Sequence, residues 1–275
     1  MQVCYNAFMI RKLTKKDQKL ILDFAHLREE ENMFVTEKFE NEKNPFKETD
    51  FYGFFEKNKL KGLAAIFKKF DNSNISSQSE KVVRALVDYL IENGHIFMDV
   101  VCFDSYAKII ADQLEKKHHL HPKKIEKKKI YRLKKEDFID FSTGKEETAT
   151  ENDREELFRI ERLAFEKDPN PKITKKELAR FTPSTEFIIR KNGLIASKAN
   201  ISGVSKHFFQ IGGVATREEF QGQGLAKCVV SALCKHFFAQ GKTALLFTGV
   251  DNIPAIKVYT ALGFKPFDDY TMLHY

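Results

Sequence analysis

The sequence contains no apolar run approaching the roughly 18 residues that a membrane-spanning helix needs. Its opening, MQVCYNAF, lacks both the charged start and the apolar core of a secretory signal, so a cytoplasmic protein with no membrane partner is expected. Cysteine is scarce. The four thiols, Cys4, Cys102, Cys228 and Cys234, show no CxxC spacing and no paired histidine ligands nearby. They read as buried or inert thiols rather than a zinc site or a disulfide frame, and no metal is expected. A glycine signature of the GxGxxG type with an acidic residue about 20 positions on is missing, as is the GK[ST] of a P-loop. These absences exclude a helical membrane span, a disulfide scaffold and two common nucleotide-binding signatures.

What is present suits a folded, water-soluble chain: 42% hydrophobic and 31% charged residues over 275 positions, a length that favours two domains. The net charge is +7, and the stretch KKHHLHPKKIEKKKIYRLKKED, Lys116 to Asp137, supplies much of it. A stretch dominated by lysine, with only Arg132 and Tyr131 as arginine and tyrosine and lying where a domain boundary is expected, reads as a solvated connector, so no nucleic-acid partner is expected. His118, His119 and His121 inside it lack a carboxylate or cysteine at metal spacing.

The sequence repeats itself. IRKLTKKD (Ile10 to Asp17) matches IYRLKKED (Ile130 to Asp137), each running from a short strand into a helical segment. EKNKLKGLAA (Glu56 to Ala65) matches RKNGLIASKA (Arg190 to Ala199), a turn between two extended apolar runs. VVRALVDYLIENG (Val82 to Gly94) matches VVSALCKHFFAQG (Val229 to Gly241). The helical stripes Val82, Leu86, Leu90 and Val229, Leu233, Phe237 each stop at a glycine suited to a left-handed cap. A strand then follows in each copy, IFMDVV or ALLFT, and then another helix. The separations grow steadily along the chain, as insertions in the second copy require. Two α/β (α+β) domains of one plan are expected, 1–128 and 129–275, each a mostly antiparallel sheet flanked by helices.

In the second copy, HFFQIGGVAT reads as a strand, QGQGLA (Gln221 to Ala226) as a tight loop, and LAKCVVSALCKHFFAQ as a helix. A glycine loop feeding a helix start leaves several amides without internal partners, beside the positive end of the helix dipole, and that suits a phosphate. Gly222 and Gly224 allow left-handed backbone and remove the Cβ that would block close approach. Alone, this motif is also compatible with a plain turn.

The spacing Gln/Arg-x-x-Gly-x-Gly/Ala resembles the GNAT family of N-acetyltransferases. Further along, DNIPAIKVYTALGF fills the family's Asn-x-x-Ala-x-x-x-Tyr-x-x-x-Gly-Phe pattern with Asn252, Ala255, Tyr259, Gly263 and Phe264. The resemblance covers Glu151 to Tyr275. It implies an acetyl-CoA-dependent transfer to a primary amine of a small molecule or peptide. Backbone groups of Val214, Ala215 and Thr216 would pair with pantetheine, and the amides of Gln221, Gly222, Gln223, Gly224, Leu225 and Ala226 would receive the pyrophosphate. Tyr259 would protonate the leaving thiolate, and Asn252 would cap its helix, contact the cofactor, or both. Tyr259 also fits a core position on its helix. Candidate bases are Glu161, His207 and Glu218. In the first copy, Asn74 to Ser79 stand opposite QGQGLA and Ala111 opposite Tyr259, with little room left for a strand before the loop. The first domain is expected to have lost the cofactor site. An acyl-CoA-binding sensor without transfer, the identity of the acceptor, whose determinants fall in Glu151 to Thr185, and a homodimer all stay open.

Overall fold

The computed structural model describes residues 3–5, 8–166, 168, 172–179 and 182–275. The described chain falls into two compact units, Met1–Ile130 with Asp268–Tyr275, and Tyr131–Phe267. The division lies close to residue 128, but the last eight residues, Asp268 to Tyr275, group with the first unit.

In the first unit, β1 (Val3–Tyr5) and β2 (Phe8–Leu13) lead into α1 (Gln18–His26), α2 (Glu29–Asn41) and the short α3 (Pro45–Glu48). The hairpin β3 (Thr49–Glu56) and β4 (Lys59–Phe67) follows, then β5 (Asn72–Ser77), α4 (Glu80–Glu92), β6 (Asp99–Phe103), α5 (Asp104–His118) and β7 (Lys124–Leu133), whose last residues enter the second unit. Strands run in the order β1-β2-β3-β4-β5-β6. All neighbours are antiparallel except β5 and β6. The core gathers Leu13, Ile21, Val35, Phe51, Phe55 and Leu63 between sheet and helices.

The second unit repeats the plan with β8 (Glu146–Thr148), α6 (Arg154–Glu161), a π-type turn at Arg162–Glu166, α7 (Lys175–Leu178) and the hairpin β9 (Glu186–Lys191) and β10 (Leu194–Val204). Then come β11 (Phe208–Thr216), α8 (Leu225–Phe238), β12 (Thr243–Gly249), α9 (Ile253–Ala261) and β13 (Lys265–His274), the last of which has only its first residues in this unit. The order is β8-β9-β10-β11-β12, with β11 and β12 parallel. The α8 stripe expected from sequence is buried at Val229 and Leu233, and Phe237 stacks on Phe209 at 4.8 Å. Gly94 and Gly241 both take positive φ, +82° and +74°, after their helices.

Three expectations need correction. No helix follows Asp137. The structural counterpart of the Thr14–Asp17 cap, where Asp17 is held near pKa 2 by Arg11 and Thr14, is the same Thr–Asp box at Thr150 and Asp153. The lysine-rich stretch is no simple connector: Lys124–Leu133 is strand β7, with Ile130, Tyr131 and Leu133 buried, and its lysines pair with Glu126, Asp104 and Asp269. His118 accordingly has a carboxylate partner, Asp88, at 2.8 Å. Finally, the strand thought to lack room in the first unit exists. Asn72–Ser77 pairs along β4 from Phe67 to Gly62 after a turn at Asp71, φ +51°.

One buried charge knits the second unit. Lys198 on β10 has no exposed surface, and its ammonium lies 2.7 Å from Glu161 at the end of α6 and 3.2 Å from Glu186 on β9. Burial pushes the Glu186 carboxyl up, against the pull of Lys198. Removing one partner of such a cluster strands buried charge, at a cost of roughly 3–5 kcal/mol. Lys198→Met should lose about that much stability near neutral pH, with Glu186 driven still further above its unfolded value. A carboxyl with a raised folded pKa favours folding at low pH and loses that contribution as pH rises through the folded value. The deficit should therefore shrink toward about pH 5; urea unfolding at the two pH values checks it, and an equal loss at both contradicts the reading.

Candidate functional site

The geometry of the site starts where a ladder stops. β11 and β12 pair from Phe208–Thr243 to Ile211–Leu246 and no further, although β11 runs on to Thr216 and β12 to Gly249. On its other side β11 stays paired with β10, with an irregularity between Lys198 and Asn200 that sets an extra β11 residue opposite Ala199. Such a bulge bends the strand and increases its twist. The local sequence requires it to be glycine: a Cβ on Gly212 would sit 1.9 Å from Ser202 Oγ, and one on Gly213 1.8 Å from Asn200 Oδ1. From Gly212 to Thr216 the edge of β11 facing away from β10 has no strand partner among the described residues. Gln221 folds back to this edge, its Nε2 donating to the Thr216 carbonyl at 3.3 Å.

A cleft of about 710 Å³ opens there, lined by Val214, Thr216, Gln221, Gly222, Gly224, Leu225, Ala226, Asn252 and Tyr259 among others. Gly222 and Gly224 have φ of +73° and +78°, and Gly224 is the N-cap of α8. A side chain at either would be strained; at Gly222 it would face open space, and at Gly224 its Cβ would lie 3.6 Å from Lys227 Cε. The amides of residues 222–226 donate to no carbonyl of the described residues, while those of Lys227 and Cys228 already turn back to Gly224. Bare amides and the helix dipole thus converge on one spot. Gln223 lies on the outer side of the turn, where Lys191 bonds its side chain.

Asn252 caps α9, its Oδ1 accepting from Ala255 N at 3.3 Å, and also lines the cleft. Tyr259 satisfies both readings of its position. It is 7% exposed and packs edge-on to Phe264 at 5.8 Å, yet it lines the cleft, and its hydroxyl has no hydrogen-bond partner among the described residues. Burial pushes its phenol up to about 12. Two charged cleft residues were missed from sequence, Lys227 on α8 and Lys257 on α9. Neither has a carboxylate partner among the described residues, and Lys227 lies 4.4 Å from the Phe141 ring centroid. A cation one turn into the helix after a glycine loop is the signal that could have found the first.

A second cavity of about 470 Å³ shares Val214, Thr216, Gln221 and Asn252 with the cleft and extends to Ile160, Leu163 and Phe165. The three candidate bases separate here. Glu218 lines this cavity, Glu161 is bound to Lys198, and His207 stands before the start of β11, at the far end from Thr216. Part of the Glu151–Thr185 region expected to govern the acceptor, residues 167, 169–171 and 180–181, lies outside the described residues.

The corresponding place in the first unit is built differently. β5 and β6 also pair only briefly, Asn72–Asp99 and Ser73–Val100, but Asn74 then reaches across to the Val101 carbonyl at 3.1 Å. Ser76 bonds buried Asn32 at 2.8 Å, and Tyr106 bonds Glu31 at 2.8 Å. Only Gln78 and Ser79 separate β5 from α4, so no loop exists there.

The class this architecture defines is the GNAT acetyltransferase fold. The chain is similar to a GCN5-related N-acetyltransferase from Sphaerobacter thermophilus (13% identity, 98% of this chain and 96% of that one, TM-score 0.64). It is also similar to an acetyltransferase of the GNAT family from Colwellia psychrerythraea (13%, 97% and 99%, 0.59) and to a tandem GNAT protein from the clavulanic acid biosynthesis pathway (11%, 96% and 97%, 0.56). Within that fold, residues 197–273 match the model of the FR47-like protein family. No curated protein matches the sequence. No helix among the described residues is long and apolar enough to cross a membrane.

The raised phenol yields a direct check. In a pH titration followed by ultraviolet difference absorbance, wild type minus Tyr259→Phe should show no phenolate at about pH 10, where an ordinary tyrosine is half ionised. Ionisation of this phenol at that pH contradicts the buried placement.

Proposed function

We propose that the chain is an N-acetyltransferase whose second unit binds acetyl-CoA and passes its acetyl group to a primary amine. The observation that carries this reading is the convergence, in one cleft, of Gly222, Gly224, Leu225 and Ala226 with their bare amides, the unpaired edge of β11 and the buried phenol of Tyr259. Acetyl-CoA supplies an activated acyl group and a thiolate that can leave. The loop amides, with Lys227 and Lys257, hold the pyrophosphate. The β11 edge from Val214 to Thr216 accepts the pantetheine amides as a strand would, and one of its N–H groups faces the oxygen on which charge develops. As the nitrogen of the neutral amine bonds to the acyl carbon and the carbon–sulphur bond breaks, the electron pair leaves with sulphur, Tyr259 protonates that thiolate, and the proton shed by nitrogen returns through solvent to the phenolate. A phenol kept protonated by burial is present in its acid form at every physiological pH.

The first unit, lacking the loop and with side chains bridging its strands, supports the reading of a domain without a cofactor site. Titration should accordingly give one coenzyme A per chain, and two would overturn this assignment. Gly224→Asp places both a strained backbone and a negative charge at the pyrophosphate and should weaken coenzyme A binding at least about 100-fold. Tyr259→Phe should leave that binding within about twofold while lowering kcat for thiol release by roughly 100-fold. Tight binding with no thiol release across a broad panel of amines would replace the transferase with an acyl-CoA sensor.

A further inference from the structure

The cavity beside the cleft has a composition that selects. One side of its wall is apolar, formed by Ile160, Leu163, Ala164 and Phe165 from the end of α6 and the π-type turn, and by Val214 and Ala215 of β11, while Thr216, Gln221 and Asn252 make the side toward the coenzyme cleft polar. Leu163 and Phe165 are 38% and 57% exposed. Large apolar side chains held open to water along the wall of a cavity mark a contact surface. The cavity has two charged residues, and they differ in what they already hold. Arg217 is committed: its Nε donates to the Ile195 carbonyl at 2.8 Å and its Nη2 to Glu156 at 2.9 Å. Glu218 is exposed and has neither an ion pair nor a side-chain hydrogen bond among the described residues. One unbalanced negative charge therefore stands at the edge of an apolar wall, and the cavity meets the coenzyme cleft at Val214, Thr216, Gln221 and Asn252.

We infer that this cavity takes the acceptor, and that the acceptor is a protonated primary amine carried on an apolar or aromatic stem. Glu218 meets the ammonium, while Leu163 and Phe165 cover the stem. A carboxylate-bearing acceptor would meet like charge at Glu218, and a sugar-like stem would leave both apolar side chains in water. The net positive charge of the whole chain disfavours cationic ligands at long range, but at contact distance the local carboxylate decides. The inference rests on the acyl-transfer reading for the word acceptor, whereas the ligand class stands on the cavity alone.

Calorimetric titration of the full-length protein, saturated with coenzyme A, tests it with 2-phenylethylamine, 2-phenylethanol and ethanolamine. The aromatic amine should bind about tenfold tighter than either of the others. Glu218→Gln should weaken the aromatic amine about fivefold and leave the alcohol unchanged. Leu163→Ala and Phe165→Ala should weaken both aromatic ligands and spare ethanolamine. Ethanolamine binding as tightly as phenylethylamine, or Glu218→Gln leaving the amine unaffected, overturns the inference. Thiol release from acetyl-CoA with the same two amines separates it from the function itself. Binding in the expected order without turnover would refute transfer and retain the pocket's preference. Faster turnover of ethanolamine would do the reverse.

Discussion

Everything chemical in the second unit depends on two parallel strands parting after Ile211 and Leu246. A strand edge stripped of its partner leaves backbone donors and acceptors that water or a ligand must satisfy. The protein stabilises that awkward state from the opposite side. β10 continues to hold β11 through the bulge, Ser197 bonds both the Ala215 carbonyl and the Thr216 hydroxyl, and Arg217 ties the strand's exit to Ile195 and Glu156. The wedge is thus rigid on one flank and open on the other. The loop, α8 and α9 are anchored by Val229, Leu233 and Leu262 in the core, so that Gly224 and Tyr259 face the same opening.

The first unit shows the same architecture with the opposite outcome. Its parallel pair is even shorter, yet an asparagine side chain bridges the gap, and the hydrogen-bonded pair Ser76 and Asn32 lines a smaller cavity of about 310 Å³ beside it. The difference is carried by a handful of polar side chains and by the length of one connection: Arg217 to Gly224 in the second unit, Gln78 and Ser79 in the first. The fold tolerates either arrangement because the helix stripes that build each core lie elsewhere, at Val82, Leu86 and Leu90 or at Val229 and Leu233.

The sequence made legible what depends on local backbone chemistry. Gly222 and Gly224 stand in the left-handed region, Gly94 and Gly241 end their helices, and the slot at Gly263 cannot hold a side chain because a Cβ would lie 2.1 Å from the Asp137 carbonyl. Features made by distant partners were not legible. Asn72–Ser77 is too polar to alternate as a strand should, and it becomes one because β4 offers a complete ladder. Lys124–Leu133 looks solvated until carboxylates from other elements neutralise its lysines. Lys198, in a run that otherwise reads as apolar, is buried only because Glu161 and Glu186 meet it from α6 and β9.

The uncompensated ammonium groups of Lys227 and Lys257 have a practical side. Two ammonium groups in one cleft, with no carboxylate partner among the described residues, form a place where small dianions would compete with the phosphorylated ligand proposed for it. Apparent affinities measured in phosphate or sulphate buffers will therefore understate the cleft, and ionic strength becomes a variable of its chemistry rather than a background condition.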